Sequence, residues 1–224
     1  PLKAMSAGKV DLQKQMDDCK RWDIESPNRY MACVTIQVDG EETDRYYTPF
    51  GVRETSVSRD GFFLNGRRVE IKGVCNHHDL GALGAAFNRS ALERQFRIMR
   101  EMGCNSIRTS HNPPAPELLD LADKTGMLIM DEAFDAWAHG KREWDYNKLY
   151  EAWHQKDLEA LVRRDWNHPS VVFWSIGNEV LEQQDVEMTR HLVEIVKELD
   201  QTRPVTNGYN DPNGGRASGA RMGM

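Results

Sequence analysis

Short apolar runs alternate with amphipathic segments from Ile71 onward, and this alternation constrains the fold more than any other feature of the sequence. Apolar runs of about four to eight residues indicate buried strands, whereas apolar residues at helical spacing indicate helices. Five strands are predicted on this basis, at residues 71–75, 105–109, 127–130, 171–176 and 203–207. Strands that alternate with helices form a parallel sheet, which is either open or closed into a barrel.

Polar clusters follow the first four predicted strands, at residues 76–79, 108–112, 131–132 and 178–179. In a barrel the carboxyl ends of the strands converge on one mouth, whereas in an open sheet they are spread along an edge. The glycine-rich phosphate loop of nucleotide-binding open sheets does not follow the first strand. We therefore predict an α/β fold with a partial (β/α)8 TIM barrel, because the residues after Ile71 suffice for about five of the eight strands.

The region before the barrel is predicted to be the remnant of a β-sandwich. Residues 31–38 are rich in β-branched side chains and are predicted to form a strand. Asp39-Gly40 has the composition of a hairpin turn, and residues 44–48 are predicted to form the second strand of the hairpin. Two or three strands cannot bury a face alone, so further strands of a sandwich are expected.

A second hairpin leads into the barrel. Asn65-Gly66 is predicted to form its turn, between residues 61–64 and 68–71. The predicted domains are residues 1–58 for the sandwich remnant and residues 59–224 for the barrel.

The first helix of the barrel is predicted to begin at a capping box and to end at a glycine. The box is Ser90-Ala91-Leu92-Glu93, and the glycine is Gly103. Leu92, Phe96 and Met99 supply its apolar stripe.

The composition narrows the classes of function. A formal net charge of −6 argues against nucleic acid or an anionic membrane as a partner. The four cysteines include no Cys-x-x-Cys pair, which favours reduced thiols over a zinc site or a disulfide framework. No apolar run approaches the roughly 20 residues of a membrane span. The N-terminus shows no signal-peptide pattern, and the sequence is expected to begin within a domain. The localisation therefore stays undetermined.

The fourth predicted strand is followed directly by Gly177-Asn178-Glu179. A carboxylate there lies at the carboxyl edge of the sheet, where α/β folds keep their chemistry. The pattern allows two interpretations of Glu179, a surface acid that caps the next helix or a catalytic acid/base. The neighbouring amide, which can orient a substrate hydroxyl, and the glycine, which permits close approach, favour the catalytic interpretation.

Arg108 and His111 follow the second predicted strand. One interpretation is structural, with Arg108 paired to Asp131 or Glu132. The other is functional, with a guanidinium that keeps a carboxylate ionised and an imidazole that binds a substrate hydroxyl. The pattern alone leaves both open.

His77, His78 and Asp79 raise the possibility of a metal site. Adjacent residues of a strand point in opposite directions, and the sequence contains no His-Glu-x-x-His motif, so no metal ligands are predicted. Three tryptophans near the predicted mouth either stack on a sugar or pack in the core: Trp137, Trp144 and Trp174.

Several motifs, taken in order, are similar to those of the family 2 glycoside hydrolases, above all the β-galactosidases of that family. They are Gly73-Val74-Cys75-Asn76-His77-His78, Ile107-Arg108-Thr109-Ser110-His111-Asn112-Pro113, Asp131-Glu132-Ala133-Phe134, Asn167-His168-Pro169-Ser170-Val171 and Ser175-Ile176-Gly177-Asn178-Glu179. The resemblance runs from about residue 22 to residue 210. The hairpin at residues 61–66 is similar to the family's link from an immunoglobulin-like sandwich into the catalytic barrel.

The resemblance implies roles for individual residues. Glu179 matches the general acid/base, and Asn178 matches the partner of the sugar 2-hydroxyl. Four further residues are implied to bind substrate or line its pocket, namely His77, His111, Arg108 (beside the nucleophile) and Asp131, which shares its pocket-wall position with Glu132.

The implied reaction is the retaining hydrolysis of terminal β-D-galactosides. Two carboxylates about 5–5.5 Å apart act together in such enzymes, one attacking the anomeric carbon while the other protonates the leaving oxygen. The family's nucleophile is a Glu after a later strand, beyond the last residue of this sequence, so the chain is expected to be inactive alone. A β-glucuronidase, a β-mannosidase and a non-catalytic carbohydrate-binding module are the alternatives.

Some members of the family hold magnesium near the acid/base through a Glu and a His of the loop after the third strand. That loop has a different spacing here, between Phe134 and Gly140, so no metal or other cofactor is predicted. The expected partners are a β-galactoside and further copies of the chain, because a partial barrel leaves strand edges unpaired. The glycine-rich tail at residues 213–224 carries no strand pattern and is expected to be either a truncated or a frameshifted end.

Overall fold

A computed structural model describes residues 7–210 of the protein. The tail discussed above lies outside the described residues. Within the described range, no helix combines the length and the apolar character that a membrane crossing requires.

Two antiparallel groups of strands come first. One is the hairpin of β1 (Tyr30–Val38) and β2 (Glu41–Phe50), and the other is the three-stranded sheet of β3 (Thr55–Ser58), β4 (Gly61–Leu64) and β5 (Arg67–Val69). Both predicted turns have two successive residues at positive φ, as tight hairpin turns require: Asp39-Gly40 and Asn65-Gly66. Both predicted hairpins are confirmed.

Five further strands form a parallel sheet whose spatial order follows the chain. They are β6 (Gly73–His77), β7 (Ser106–Ser110), β8 (Leu128–Glu132), β9 (Val171–Asn178) and β10 (Val205–Gly208). The helices between them are α1 (Arg89–Glu101), α2 (Pro116–Thr125), α3 (Asn147–Asp165) and α4 (Val186–Leu199). This is the arrangement of five consecutive units of a (β/α)8 barrel, so the predicted fold class is confirmed.

Several predicted boundaries differ slightly from the observed ones, and two of the differences have an identifiable cause. The first parallel strand begins at Gly73 rather than at Ile71, because the Lys72 N–H donates to the Asn105 side chain at 2.8 Å. The predicted capping box is also wrong. Asn88 caps α1 by accepting from the Ala91 N–H at 3.0 Å, which places the predicted cap, Ser90, inside the helix.

The main core lies between the parallel sheet and the helices, and it includes the predicted stripe of α1. A smaller cluster lies at the amino ends of β8 and β9, where Leu128 and Val172 pack with Trp22, Phe62 and Leu64. The sandwich remnant and the β4 strand therefore cover the amino end of the sheet. The carboxyl end, where barrels keep their active sites, stays open.

Candidate active site

Glu132, the last residue of β8, is the centre of a polar cluster at the carboxyl end of the sheet. Its side chain is fully buried, and it accepts from Arg108 Nε at 2.8 Å and from His111 Nδ1 at 2.6 Å. Ser175 donates a third hydrogen bond from the neighbouring strand β9. These partners satisfy a charge whose burial without them would be strongly unfavourable.

Arg108 connects this carboxylate to the strand that leads to Glu179. Its Nη2 atom lies 2.7 Å from Glu132 and donates to Asn178 Oδ1 at 2.8 Å. Gly208 of β10 makes room for the guanidinium, since a Cβ at that position would overlap it. The arginine is therefore held in one orientation by three strands of the sheet.

Asn178 is held from its other side by the loop after β8. Its Nδ2 atom donates to Asp135 Oδ1 at 2.9 Å, and Lys141 Nζ donates to the same oxygen at 2.7 Å and to the Asn178 main-chain oxygen at 2.9 Å. Burial alone raises the pKa of the Asp135 carboxyl, but the Lys141 ammonium and the Asn178 amide outweigh burial and bring this pKa below its usual value. A charged Asp135 fixes the direction in which the Asn178 amide faces.

Glu179 follows directly, and its side chain is exposed. Its backbone has a φ of +44°, which is uncommon for a residue with a Cβ, and its N–H donates to the Gly208 carbonyl at 2.6 Å. Such conformations cost about 1–3 kcal/mol and cluster at active sites. The strained backbone is a sign of function that no sequence pattern indicates.

The structure brings most of the predicted substrate-binding residues together. Arg108, His111 and Asn178 join the cluster directly, and the His77 ring lies 5.0 Å from that of His111 at an interplanar angle of 88°. Because the Glu132 carboxylate only accepts hydrogen bonds, His111 Nδ1 carries a proton. The other ring nitrogen, Nε2, is the atom left to contact a substrate hydroxyl.

Asp131 does not belong to this cluster. Its carboxyl is fully buried beside Asp165 of α3, and neither of its oxygens has a hydrogen-bond partner within the described part of the chain. Successive residues of a strand face opposite sides, so Asp131 faces away from the mouth that Glu132 faces. The structure therefore separates Asp131 from the other predicted substrate-binding residues, and Glu132 takes the position expected for it.

The residues present do not fit the magnesium site of the resembled family. His139 of the loop after β8 directs its Nδ1 atom to Glu182 Oε1 at 2.7 Å, and its main-chain N–H donates to the same oxygen at 2.6 Å. Among residues 7–210, no three His, Cys, Asp or Glu side chains lie close enough to one another to hold a metal ion. This contact instead attaches the loop to the turn that follows Glu179.

Comparisons with known proteins agree with this geometry. The family model described as "Glycosyl hydrolases family 2, TIM barrel domain" matches residues 55–216, and the model described as "Glycosyl hydrolases family 2" matches residues 2–53. A β-galactosidase of Bacteroides ovatus is 48% identical over 87% of this chain and 27% of its own length. A putative β-glucuronidase of Formosa agariphila is 38% identical over 93% of this chain and 20% of its own.

The solved structure of a glycosyl hydrolase family 2 member from Bacteroides cellulosilyticus matches with a TM-score of 0.85 at 39% identity. The match covers 90% of this chain and 27% of that one, so the chain spans about a quarter of the length of its relatives. The barrel-domain model alone covers well over half of the sequence. This chain therefore belongs to glycosyl hydrolase family 2, and it comprises the end of an immunoglobulin-like domain followed by part of the TIM barrel.

Proposed function

We propose that this chain supplies the general acid/base and much of the sugar pocket of a retaining β-glycosidase that acts on terminal β-D-galactosides. One observation carries the proposal. The bonds from Arg108 and Lys141 to Asn178 fix the end of β9, and the exposed Glu179 follows directly at this carboxyl end of the sheet. A carboxylate that is exposed on a fixed backbone can reach a bound substrate from this side.

Glu179 has two roles in the proposed reaction. It first gives its proton to the leaving oxygen, and it then takes a proton from the water that releases the sugar. The nucleophile, by the family resemblance, follows a later strand than β10. Asn178 assists at the sugar 2-hydroxyl, because its amide nitrogen has a second hydrogen beyond the one that it donates to Asp135.

The pairing of the two cations nearest Asn178 supports a neutral sugar over a uronic acid. Arg108 is paired with Glu132, and Lys141 is paired with Asp135. The carboxylate of a uronide needs a cation that is not already neutralised. Arg108 and Lys141 are each already neutralised by a carboxylate. A β-glucuronide is the second candidate substrate, because one similar protein is named a putative β-glucuronidase.

The test is a chimera in which this chain replaces the matching segment of the Bacteroides ovatus β-galactosidase. We expect it to hydrolyse p-nitrophenyl β-D-galactoside faster than the corresponding β-glucuronide. Glu179→Gln should lower kcat/KM by about 10²–10⁴-fold for an unactivated phenyl galactoside. The loss should be far smaller for a dinitrophenyl galactoside, because its leaving group departs as a stable anion and needs no proton.

The matched control is Glu143→Gln, which removes an exposed carboxylate from the loop after β8 and should leave both rates unchanged. Equal losses on the two leaving groups would contradict the acid/base role of Glu179. A preference for the glucuronide would contradict the proposed substrate alone. A chimera that binds galactose and hydrolyses neither sugar would favour the non-catalytic carbohydrate-binding module.

A further inference from the structure

Two histidines that the proposed reaction does not use face each other between two helices. His154 of α3 and His191 of α4 have their Nε2 atoms 3.2 Å apart, with ring centroids 5.4 Å apart and an interplanar angle of 70°. The two helices pack against each other, so the pair joins separate elements of the fold. A ligand bound by both rings would therefore tie α3 to α4.

The His154 ring is fixed in both tautomer and orientation. Its Nδ1 atom lies 2.6 Å from the Tyr150 main-chain oxygen, and since a carbonyl only accepts, Nδ1 carries the proton. Nε2 therefore directs a lone pair towards His191. The ring also stacks on the buried Tyr150 ring, with centroids 4.5 Å apart and an interplanar angle of 11°. A hydrogen bond from Nδ1 to a main-chain carbonyl is a support that metal-binding histidines commonly have.

The spacing of the two Nε2 atoms fits one metal ion. With Zn–N bonds of about 2.0–2.1 Å, nitrogens 3.2 Å apart subtend an angle of about 100° at the ion, near the tetrahedral value. His191 is exposed, so the proton that its Nε2 donates in the metal-free pair can be carried by Nδ1 instead, where water accepts it. We propose that His154 and His191 form a two-histidine site for a divalent transition-metal ion, represented here by zinc.

Water completes the coordination of this site. Within residues 7–210, no third His, Cys, Asp or Glu joins the pair to make a three-ligand cluster. Of the four acids one turn away, Glu187 pairs with Arg190 and Asp157 accepts from Tyr146, and neither Glu151 nor Glu194 is close enough to form such a cluster. Two imidazoles favour zinc, copper and nickel over magnesium, which prefers oxygen ligands. The affinity is therefore modest, below that of structural zinc sites with four protein ligands.

Calorimetric titration of the purified chain with zinc chloride tests the proposal. We expect one equivalent to bind, and we expect His154→Gln and His191→Gln each to weaken binding by about tenfold or more, because a single imidazole cannot chelate. Magnesium chloride should give no binding heat. The matched control is His78→Gln, which removes another exposed histidine and should keep the original affinity.

The thermal midpoint provides a second readout. Saturating zinc should raise the Tm of the unsubstituted chain and of His78→Gln, because an ion that bridges two helices binds the folded state alone. It should not raise the Tm of His191→Gln, whose exposed position leaves the fold intact. Unchanged zinc affinity in His191→Gln, or no zinc binding by the unsubstituted chain, would overturn the proposal. Neither readout depends on whether the chain acts on galactosides.

Discussion

Asp131 is a buried carboxyl without a hydrogen-bond partner in the described structure. Burial raises its pKa well above the usual value, and the neighbouring Asp165 carboxylate raises this pKa further. Arg164 does not compensate fully, since its guanidinium is bound to Asp165. An Asp in the unfolded chain titrates at about pH 3.9, so the folded state holds this proton more tightly. The contribution of Asp131 to stability therefore falls as the pH rises above that value.

Asp131→Asn is expected to raise the free energy of unfolding by about 1–3 kcal/mol at pH 8 and to change it little at pH 4. The amide stays neutral at pH 8. At this pH the Asp131 carboxyl must either hold a proton that the unfolded chain would release or carry a buried charge, and both are unfavourable. Urea unfolding at the two pH values measures the effect. Glu151→Gln, on the exposed face of α3, is the control and should be neutral at both. A loss of stability that appears only at pH 8 would contradict the raised pKa.

The opposite environments of Asp131 and Glu132 were only half predictable. Side-chain alternation along β8 predicts that one of the two faces the mouth, but the sequence does not say which. The choice follows from the pairing of Glu132 with Ser175 in β9, which is a tertiary contact. Asp135 and Lys141 were not predicted at all, because the path of their loop depends on the bonds that they make to the end of β9.

Among the secondary-structure elements, α2 is the one to which the segment around Trp22 is attached. The Trp22 indole N–H donates to the Asp123 main-chain oxygen at 2.9 Å. Gly126, which ends α2 in the left-handed conformation at a φ of +71°, lies against the Ile24 main chain. A side chain at this glycine would meet the carbonyl oxygen of Ile24. The glycine that ends α2 is thus in contact with the segment that precedes the hairpin of β1 and β2.

Gly126→Ala is expected to lower the free energy of unfolding by about 3 kcal/mol or more, because it adds a main-chain overlap to the left-handed penalty of about 1–2 kcal/mol. Gly103→Ala is the matched control. It ends α1 at a φ of +86° with no atom near its added Cβ, so only the left-handed penalty applies. Denaturant unfolding of both variants gives the difference. Equal losses would contradict the docking of the Ile24 segment on α2.

Most elements of the barrel were predictable because their signals are local. The apolar stripe of α1 and the glycine that follows this helix, Gly103, depend on residues a turn apart, and both have the predicted role. The wrong boundaries arose where a side chain competes with the main chain. Asn88 accepts from the Ala91 N–H and so caps α1 two residues before the predicted cap at Ser90, and Asn105 takes the Lys72 N–H that would have extended β6.

On the surface of the molecule, the hairpin of β1 and β2 carries a group of exposed apolar side chains. Val34, Ile36 and Val38 alternate along β1 and therefore share a face, and Tyr46 lies opposite Val34 in β2. All four side chains are at least half exposed. Within residues 7–210 the hairpin pairs with no third strand, and β6 and β10 form the edges of the parallel sheet. Such a face and such edges favour association between copies.

We expect the purified chain to form oligomers in a concentration-dependent way, as measured by light scattering after size exclusion. The hairpin face should contribute more than the sheet edges, because burying apolar side chains contributes about 25 cal/mol per Å². A double variant, Val34→Lys with Ile36→Lys, should therefore shift the chain towards the monomer. Thr35→Lys places a charge on the opposite face of β1 and should leave association unchanged. If both variants stay associated, the edges of β6 and β10 form the contact instead. A monodisperse monomer of the unsubstituted chain would contradict association altogether.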